Sequence, residues 1–334
     1  MDLTMTKPPT TLSAPVDRPY SQGLVSDLAV MSPPVDHHAE QSVAIGEQFA
    51  SRIVCGDAIT AMKSLPADCL NLIITSPAYF GCRQYGSEEL GREEHPADYV
   101  DNLFQVTKAM HRVLSSAGSL YLNIGDVYYG TKGFHRNKGE WTRATARHYI
   151  NHNIIPPYGR GPMPDRWLQY KQLLGLPERL MCRMQDYGWF LRNKIIWEKP
   201  NAQPVHADDR RYPCWEYIFH FTKSPKGYFF DLKLAKTLGV DRDVFRVNIQ
   251  PFKNHPASFP EKLIEPLVLT SSQPGDVVGD MFFGSGTVGA VCKRLDRRYW
   301  GVELNPDYAR QAQERIDAVE ADVPALKIDV EENQ

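Results

Sequence analysis

Two stretches of the chain put reactive residue types where chemistry could follow. In the first, the apolar run LNLIIT at 70–75 leads directly into Ser76-Pro77-Ala78-Tyr79. A proline after a strand keeps the preceding residue extended and offers no N–H. The turn can then aim carbonyls and the Ser76 hydroxyl into a pocket, with Tyr79 beside them. Acceptors next to an aromatic ring suit a planar base that carries an exocyclic amino group. The same residues also suit an ordinary β-turn with an edge tyrosine. In the second stretch, VVGDMFFGSGTVGAVCKRL at 277–295, a strand, a glycine turn and a helix follow one another. Gly284, Gly286 and Gly289 satisfy G-x-G-x-x-G, and Glu303 ends the next strand 17 residues after Gly286. Glycines permit a tight turn and a close ligand, and a helix start offers free N–H groups. A carboxylate at Glu303 can take two ribose hydroxyls. Such loops bind NAD, FAD or S-adenosyl-L-methionine (SAM), and some are purely structural.

The elements that must position these residues alternate in kind. β-rich runs occur at 52–55, 70–75, 119–124, 190–198, 215–222, 277–281 and 299–303. Helical periodicity fills 97–114, 177–187, 260–271, 286–296 and 306–320. Strands alternating with helices predict a mostly parallel sheet covered on both faces, an α/β fold. Seven candidates fit one sheet. A dinucleotide domain normally opens with its glycine fingerprint. Here one strand and one helix follow it, so the sheet must be completed by earlier strands. That predicts a permuted order and argues against a nicotinamide oxidoreductase. Residues 1–46, with six prolines and no apolar period, read as a disordered arm. Residues 317–334 read as an acidic tail, and 47–316 as the folded body.

The two stretches carry a family resemblance. TSPAYFGCRQYG resembles the catalytic T-S-P-P-Y segment of amino-group DNA methyltransferases, and DMFFGSGTVGAVCKRLDRRYWGVELNPDY is similar to their SAM-binding segment. HPASFPEKLIEPLVLTSSQPGD, GWFLRNKIIWEKPN, WEYIFHFTKS and RIVCGDAITAMKSL resemble four further family segments. The catalytic motif first and the SAM loop last is the order of the β class. The resemblance covers roughly 50–125 and 175–315. It implies a circularly permuted, Rossmann-like SAM-methyltransferase sheet of seven strands with an inserted target-recognition region. The catalytic half would span 50–225 and the SAM-binding half 255–316. It implies SAM as cofactor and double-stranded DNA as partner. Ser76, Pro77, Ala78 and Tyr79 would hold a flipped-out base. Asp280, Phe282, Gly284, Ser285, Gly286 and Thr287 would line the methionine part of SAM, Glu303 its ribose, and Asp57 its adenine, with Phe259 packed nearby. Ser76, where adenine-N6 enzymes usually carry Asp, favours cytosine N4 as the target, with adenine N6 the alternative. Two positions depart from the family: Ala78 replaces a second proline, and Met281 replaces the proline after Asp280. The first of these leaves a catalytically inactive DNA-binding protein as a reading of another class.

Charge points to the same partner. The net charge is −2, yet residues 130–227 hold 17 Lys/Arg against 8 Asp/Glu. A basic middle between acidic ends suits a polyanion, and equally a solvated surface of uneven charge. Within 128–166, Arg136, Lys138, Arg143, Arg147 and Arg160 alternate with aromatics, which suits phosphate contacts and groove reading. Residues 226–254 are the second recognition candidate. The six cysteines are scattered with no metal-like spacing, so reduced, buried thiols and no metal are expected. Pro213-Cys214 resembles the nucleophile of cytosine-C5 enzymes only as a dipeptide; its place in the chain order is wrong. No apolar run has membrane-spanning length, and the arm lacks a signal-peptide pattern, so a cytoplasmic protein is expected. A cognate restriction endonuclease is a partner that the family setting raises, and monomer and dimer both stay open.

Overall fold

A computed structural model of the chain describes residues 51–81, 90–93, 95–129, 167–169, 171–202, 204, 208–250 and 259–320. Elements run in chain order as β1 (Arg52–Cys55), α1 (Ala58–Lys63), β2 (Leu70–Thr75), α2 (Pro96–Val113), β3 (Leu114–Ile124), α3 (Leu176–Tyr187), β4 (Phe190–Glu198), β5 (Trp215–Thr222), α4 (Leu232–Thr237), β6 (Val244–Arg246), α5 (Glu261–Ser271), β7 (Val277–Asp280), α6 (Thr287–Arg294), β8 (Arg298–Glu303) and α7 (Pro306–Asp317).

Among the described residues the strands form one sheet in the order β1-β8-β7-β2-β3-β5-β4-β6. Only β5 runs against the rest; it pairs antiparallel with both β3 and β4. The late strands β7 and β8 lie between the early strands β1 and β2, which is the permuted order expected. Leu72 and Ile73 of β2 stand opposite Val278 and Gly279 of β7. The carboxyl ends of those strands, where the two loops begin, are therefore adjacent.

The sheet has eight strands, one more than the sequence predicts. The addition is β6, three residues at the edge beside β4. It falls within 226–254, so part of that recognition candidate is sheet, and α4 accounts for another part. Neither short element carries enough residues to establish a period. α1 escapes for the same reason, at six residues. β3 starts at Leu114 rather than Ser119. Ser115, Ser116, Ala117 and Gly118, unassigned between the expected helix and strand, continue the strand across a register shift between Leu70 and Leu72.

Helices cover both faces. One core joins α1, α2 and α3 through Met62, Leu103, Met110 and Leu180; the other joins α5, α6 and α7 through Leu267, Val291 and Ile316. β2 divides its side chains between them, with Leu70 and Ile73 on the first and Leu72 and Ile74 on the second. Burial on both sides explains why LNLIIT is a near-continuous apolar run. α2 begins at Pro96, with the His95 ring accepting the Ala97 N–H. It buries Tyr99, Val100, Leu103, Val106, Met110 and Val113. Each fully buried side chain of this size contributes about 1.5–3 kcal/mol, which fixes α2 beneath the loop that follows β2.

Candidate active site

The loop after β2 is held from three other elements. The Tyr79 hydroxyl lies 3.0 Å from Asn123 Oδ1 at the end of β3 and 2.9 Å from Glu216 Oε2 on β5. Burial, then the neighbouring Glu216 charge, pushes the Tyr79 phenol well above its usual value. It therefore stays a neutral donor. Gly125 closes one flank of the ring; a Cβ there would come within 2.5 Å of Tyr79 Cε2. From α2, the Tyr99 hydroxyl donates to the Ala78 carbonyl at 3.0 Å. The carbonyl at the position where the family has proline is thus anchored.

Asn123 orients Ser76. Its amide nitrogen donates to the Tyr217 carbonyl at 2.8 Å and to Glu216 Oε2 at 3.3 Å. That fixes Oδ1 as an acceptor, and the Ser76 hydroxyl donates to it at 3.2 Å. With its proton committed, the Ser76 oxygen keeps its lone pairs for an incoming donor.

On the β7 side, Asp280 is fully buried and its Oδ1 accepts from the Thr75 hydroxyl at 2.7 Å and the Phe282 N–H at 3.0 Å. Burial pushes its carboxyl up to about 7, against the pull of those two donors. Met281 donates its N–H to Thr75 Oγ1 at 3.2 Å. A proline there would have no such donor. Glu303 accepts the Gly284 N–H at 2.7 Å on one oxygen and the Asn305 N–H at 2.9 Å on the other.

The three glycines have different tasks. Gly284 supplies the amide to Glu303. Gly286 takes a left-handed φ of 74°, and a Cβ on it would come within 2.8 Å of the Ala312 Cβ. Gly289 lies against Ile316 and Phe283. The last two seat α6 against α7. Arg315 of α7 donates to Thr287 Oγ1 at 2.9 Å and to Glu261 at 2.7 Å, which ties the loop to α5.

These parts enclose one cavity of about 950 Å3. Its wall includes Ser76, Pro77, Ala78, Tyr79, Asp57, Phe259, Asp280, Phe282, Gly284, Ser285, Thr287 and Glu303. Gly286 is not part of it. Asp57 also caps α1, accepting the Thr60 N–H at 2.8 Å. Phe259 is both core and wall. Arg136, Lys138, Arg143, Arg147 and Arg160 lie outside the described residues. Cys69 and Cys292 are buried, but Cys55 and Cys182 are exposed and Cys214 is half-buried, contrary to expectation. Cys214 is not in the cavity wall; its carbonyl receives the Lys199 N–H at 2.8 Å.

The sequence reading did not single out Thr75, Asn123, Lys199, Glu216 or Arg315. For Asn123, Lys199 and Glu216 the available signal was a polar residue at a strand end, in NIGD, WEKPN and WEY.

The wall fits SAM. Two acidic groups, Asp280 and Glu303, line the cavity and suit a ligand that carries a sulfonium and an ammonium. Each Glu303 oxygen accepts one backbone N–H, and a carboxylate oxygen has a second lone pair with which to meet a ribose hydroxyl. Gly284, with φ 51°, brings bare backbone to the wall.

Among the described residues no helix is long and apolar enough to cross a membrane. A family model described as DNA methylase, of the N6/N4 methyltransferases, matches residues 70–314. The type II methyltransferase M.XycI of Xanthomonas campestris pv. cyanopsidis is 39% identical over 276 residues, 80% of this chain and 88% of that one. M.SmaI of Serratia marcescens is 38% identical over 79% of this chain and 90% of its own length. The PvuII DNA methyltransferase, described as cytosine-N4-specific, superposes with a TM-score of 0.59 at 21% identity, over 79% of this chain and 85% of that one. A DNA modification methylase of Thermus thermophilus, solved with SAM, gives 0.55 at 26% identity over 82% and 96%. With a family match that spans both loops and relatives that span most of its length, the chain belongs to the N6/N4 DNA methylases, a SAM-dependent family with a Rossmann-like sheet.

Proposed function

We propose that this protein transfers a methyl group to the exocyclic N4 of a cytosine flipped out of double-stranded DNA. The observation that carries this reading is the Ser76 hydroxyl, donating to Asn123 and so left as an acceptor at the cavity wall. A base amino group is a weak nucleophile because its lone pair is delocalised into the ring. Ser76 Oγ accepts one amino hydrogen and the Pro77 carbonyl the other. Two acceptors favour a pyramidal nitrogen and draw off positive charge as it develops. Tyr79, with one flank against Gly125, presents the other to the base. SAM would supply an electrophilic methyl group and leave as S-adenosylhomocysteine, with one amino proton lost to solvent; Asp280 and Glu303 would hold it beside the base, so positioning supplies much of the rate. No covalent enzyme intermediate is needed.

Tritiated SAM incubated with DNA, followed by nucleoside analysis, tests the reading. The expected product is 4-methylcytosine. 6-Methyladenine would reassign the base, and no incorporation would leave an inactive DNA-binding protein.

The recognition surface is proposed at 128–166, with the described part of 226–254 as support. Neutralising Arg136, Lys138, Arg143 and Arg147 together should weaken DNA binding and flatten its salt dependence by roughly 0.9 in log–log slope per lost contact. DNA titration at several salt concentrations checks it, and an unchanged slope would move recognition elsewhere. The type II names of the relatives support a restriction–modification setting, with a cognate endonuclease acting on the same intracellular DNA.

A further inference from the structure

A row of polar side chains runs along one end of the sheet. Ser76, Asn123, Glu216 and Lys199 come from the ends of β2, β3, β5 and β4, which are neighbours in that order. Glu216 Oε2 receives Tyr79 and Asn123, and Oε1 is ion-paired with Lys199. The Lys199 and Glu216 side chains are only 13% and 18% exposed. Withdrawing two charges from water is costly, and apolar residues in their place are often neutral or stabilising. A charge pair kept here, in the wall of the cavity that holds Ser76, therefore needs a reason beyond stability.

The lysine is well fixed. Its ammonium lies 4.3 Å from the Trp197 ring centroid, and the Trp197 indole donates to the Val247 carbonyl at 2.8 Å. Among the described residues the ion pair occupies one of its three N–H donors. Cytosine presents, along one edge, an amino group, an acceptor nitrogen and a carbonyl oxygen. Adenine presents an amino group, an acceptor nitrogen and a C–H. A donor at the far side of an amino-binding site thus has an acceptor on cytosine and none on adenine.

We propose that Lys199, held by Glu216 and Trp197, donates a hydrogen bond to the carbonyl O2 of the target cytosine and sets the base preference of the site. This rests on the cytosine reading above. The target position is first mapped on DNA methylated by the wild-type protein. Duplexes carrying cytosine or 2-thiocytosine there are then compared by kcat/KM and by Kd. The thio base keeps the amino group and ring nitrogen but has a poor acceptor in place of O2. Wild type should lose roughly 10- to 100-fold on the thio base. Lys199→Met should lose little more on it than on cytosine, and Lys199→Arg should keep the wild-type discrimination. A Lys199→Met/Glu216→Gln pair, which leaves no orphaned carboxylate, repeats the test if the single variant is unstable. SAM affinity should be unchanged throughout. Equal penalties in wild type and Lys199→Met would overturn the assignment while leaving cytosine methylation intact. 6-Methyladenine as the wild-type product would overturn both.

Discussion

The loops at the ends of β2 and β7 sit side by side but are held in opposite ways. Beyond Asp280 and Met281, which are tied to Thr75, the β7 loop is held by residues nearer in sequence: Gly284 by Glu303, Glu303 by Asn305, and α6 by the bare backbones of Gly286 and Gly289. The β2 loop takes its contacts from Tyr99, Asn123, Gly125 and Glu216, the last 137 residues from Tyr79. A locally determined loop writes its geometry into a motif. A loop fixed from afar shows only its own residues, and its partners look like scattered polar positions.

The sharpest way to break this contrast is at Ser76. Ser76→Ala should reduce turnover by roughly 10²–10³-fold, the cost of losing one preorganised hydrogen-bonding group, while SAM affinity holds. Tritium transfer and calorimetry on the same preparation measure the two sides. Next in size, Glu303→Ala should weaken SAM binding by roughly 10- to 150-fold, as expected for about 1.5–3 kcal/mol of charged hydrogen bonding. A folded variant with wild-type affinity would put the ribose elsewhere.

Asp280 belongs to both loops through Thr75, and its titration should report on that junction. Its folded value, about 7, lies above the ordinary 3.8 because the carboxyl is buried. The unfolded chain therefore holds fewer protons between those values. Stabilisation is present below about pH 4 and is lost as pH rises through about 7. The melting temperature of the cofactor-free protein should fall across that window, and Asp280→Asn should flatten the fall. The smallest effect is expected at Tyr79. Tyr79→Phe keeps the ring and removes one neutral donor, so turnover should drop by only about threefold to tenfold. A loss as large as that of Ser76→Ala would show that the hydroxyl, not the ring, is what the base needs.

The parts legible in the sequence were those with enough residues to show a period or a local motif. β2, β4, β5 and α2 lie within a residue of their expected bounds; β2 and α2 bury apolar residues along their whole length, while β4 and β5 bury theirs only toward one end. The glycine loop and Glu303 were legible for the reason just given. Asn123, Glu216 and Lys199 were not: each is a polar residue at or just past the end of a strand, Lys199 after a β4 that already carries Arg192, Asn193, Lys194 and Glu198, and only strand order makes them neighbours. β6 and α1 were too short to read, and the Ser-Ser-Ala-Gly start of β3 has turn chemistry inside a strand.

The insertion of β7 beside β2 also sets a timetable. Thr75 and Asp280 are 205 residues apart in the chain yet share a buried hydrogen bond. At roughly 5–20 residues per second, synthesis separates them by about 10–40 s. Through that interval β2 lacks its β7 neighbour, so one row of its N–H and C=O groups has no final strand to meet. Pairings between residues so distant in sequence are slow to form, and an unpaired strand edge invites other chains. A chain cut short before Val277 would leave β2 open along one side. The permuted order thus makes the last strands of this protein guardians of one of its first.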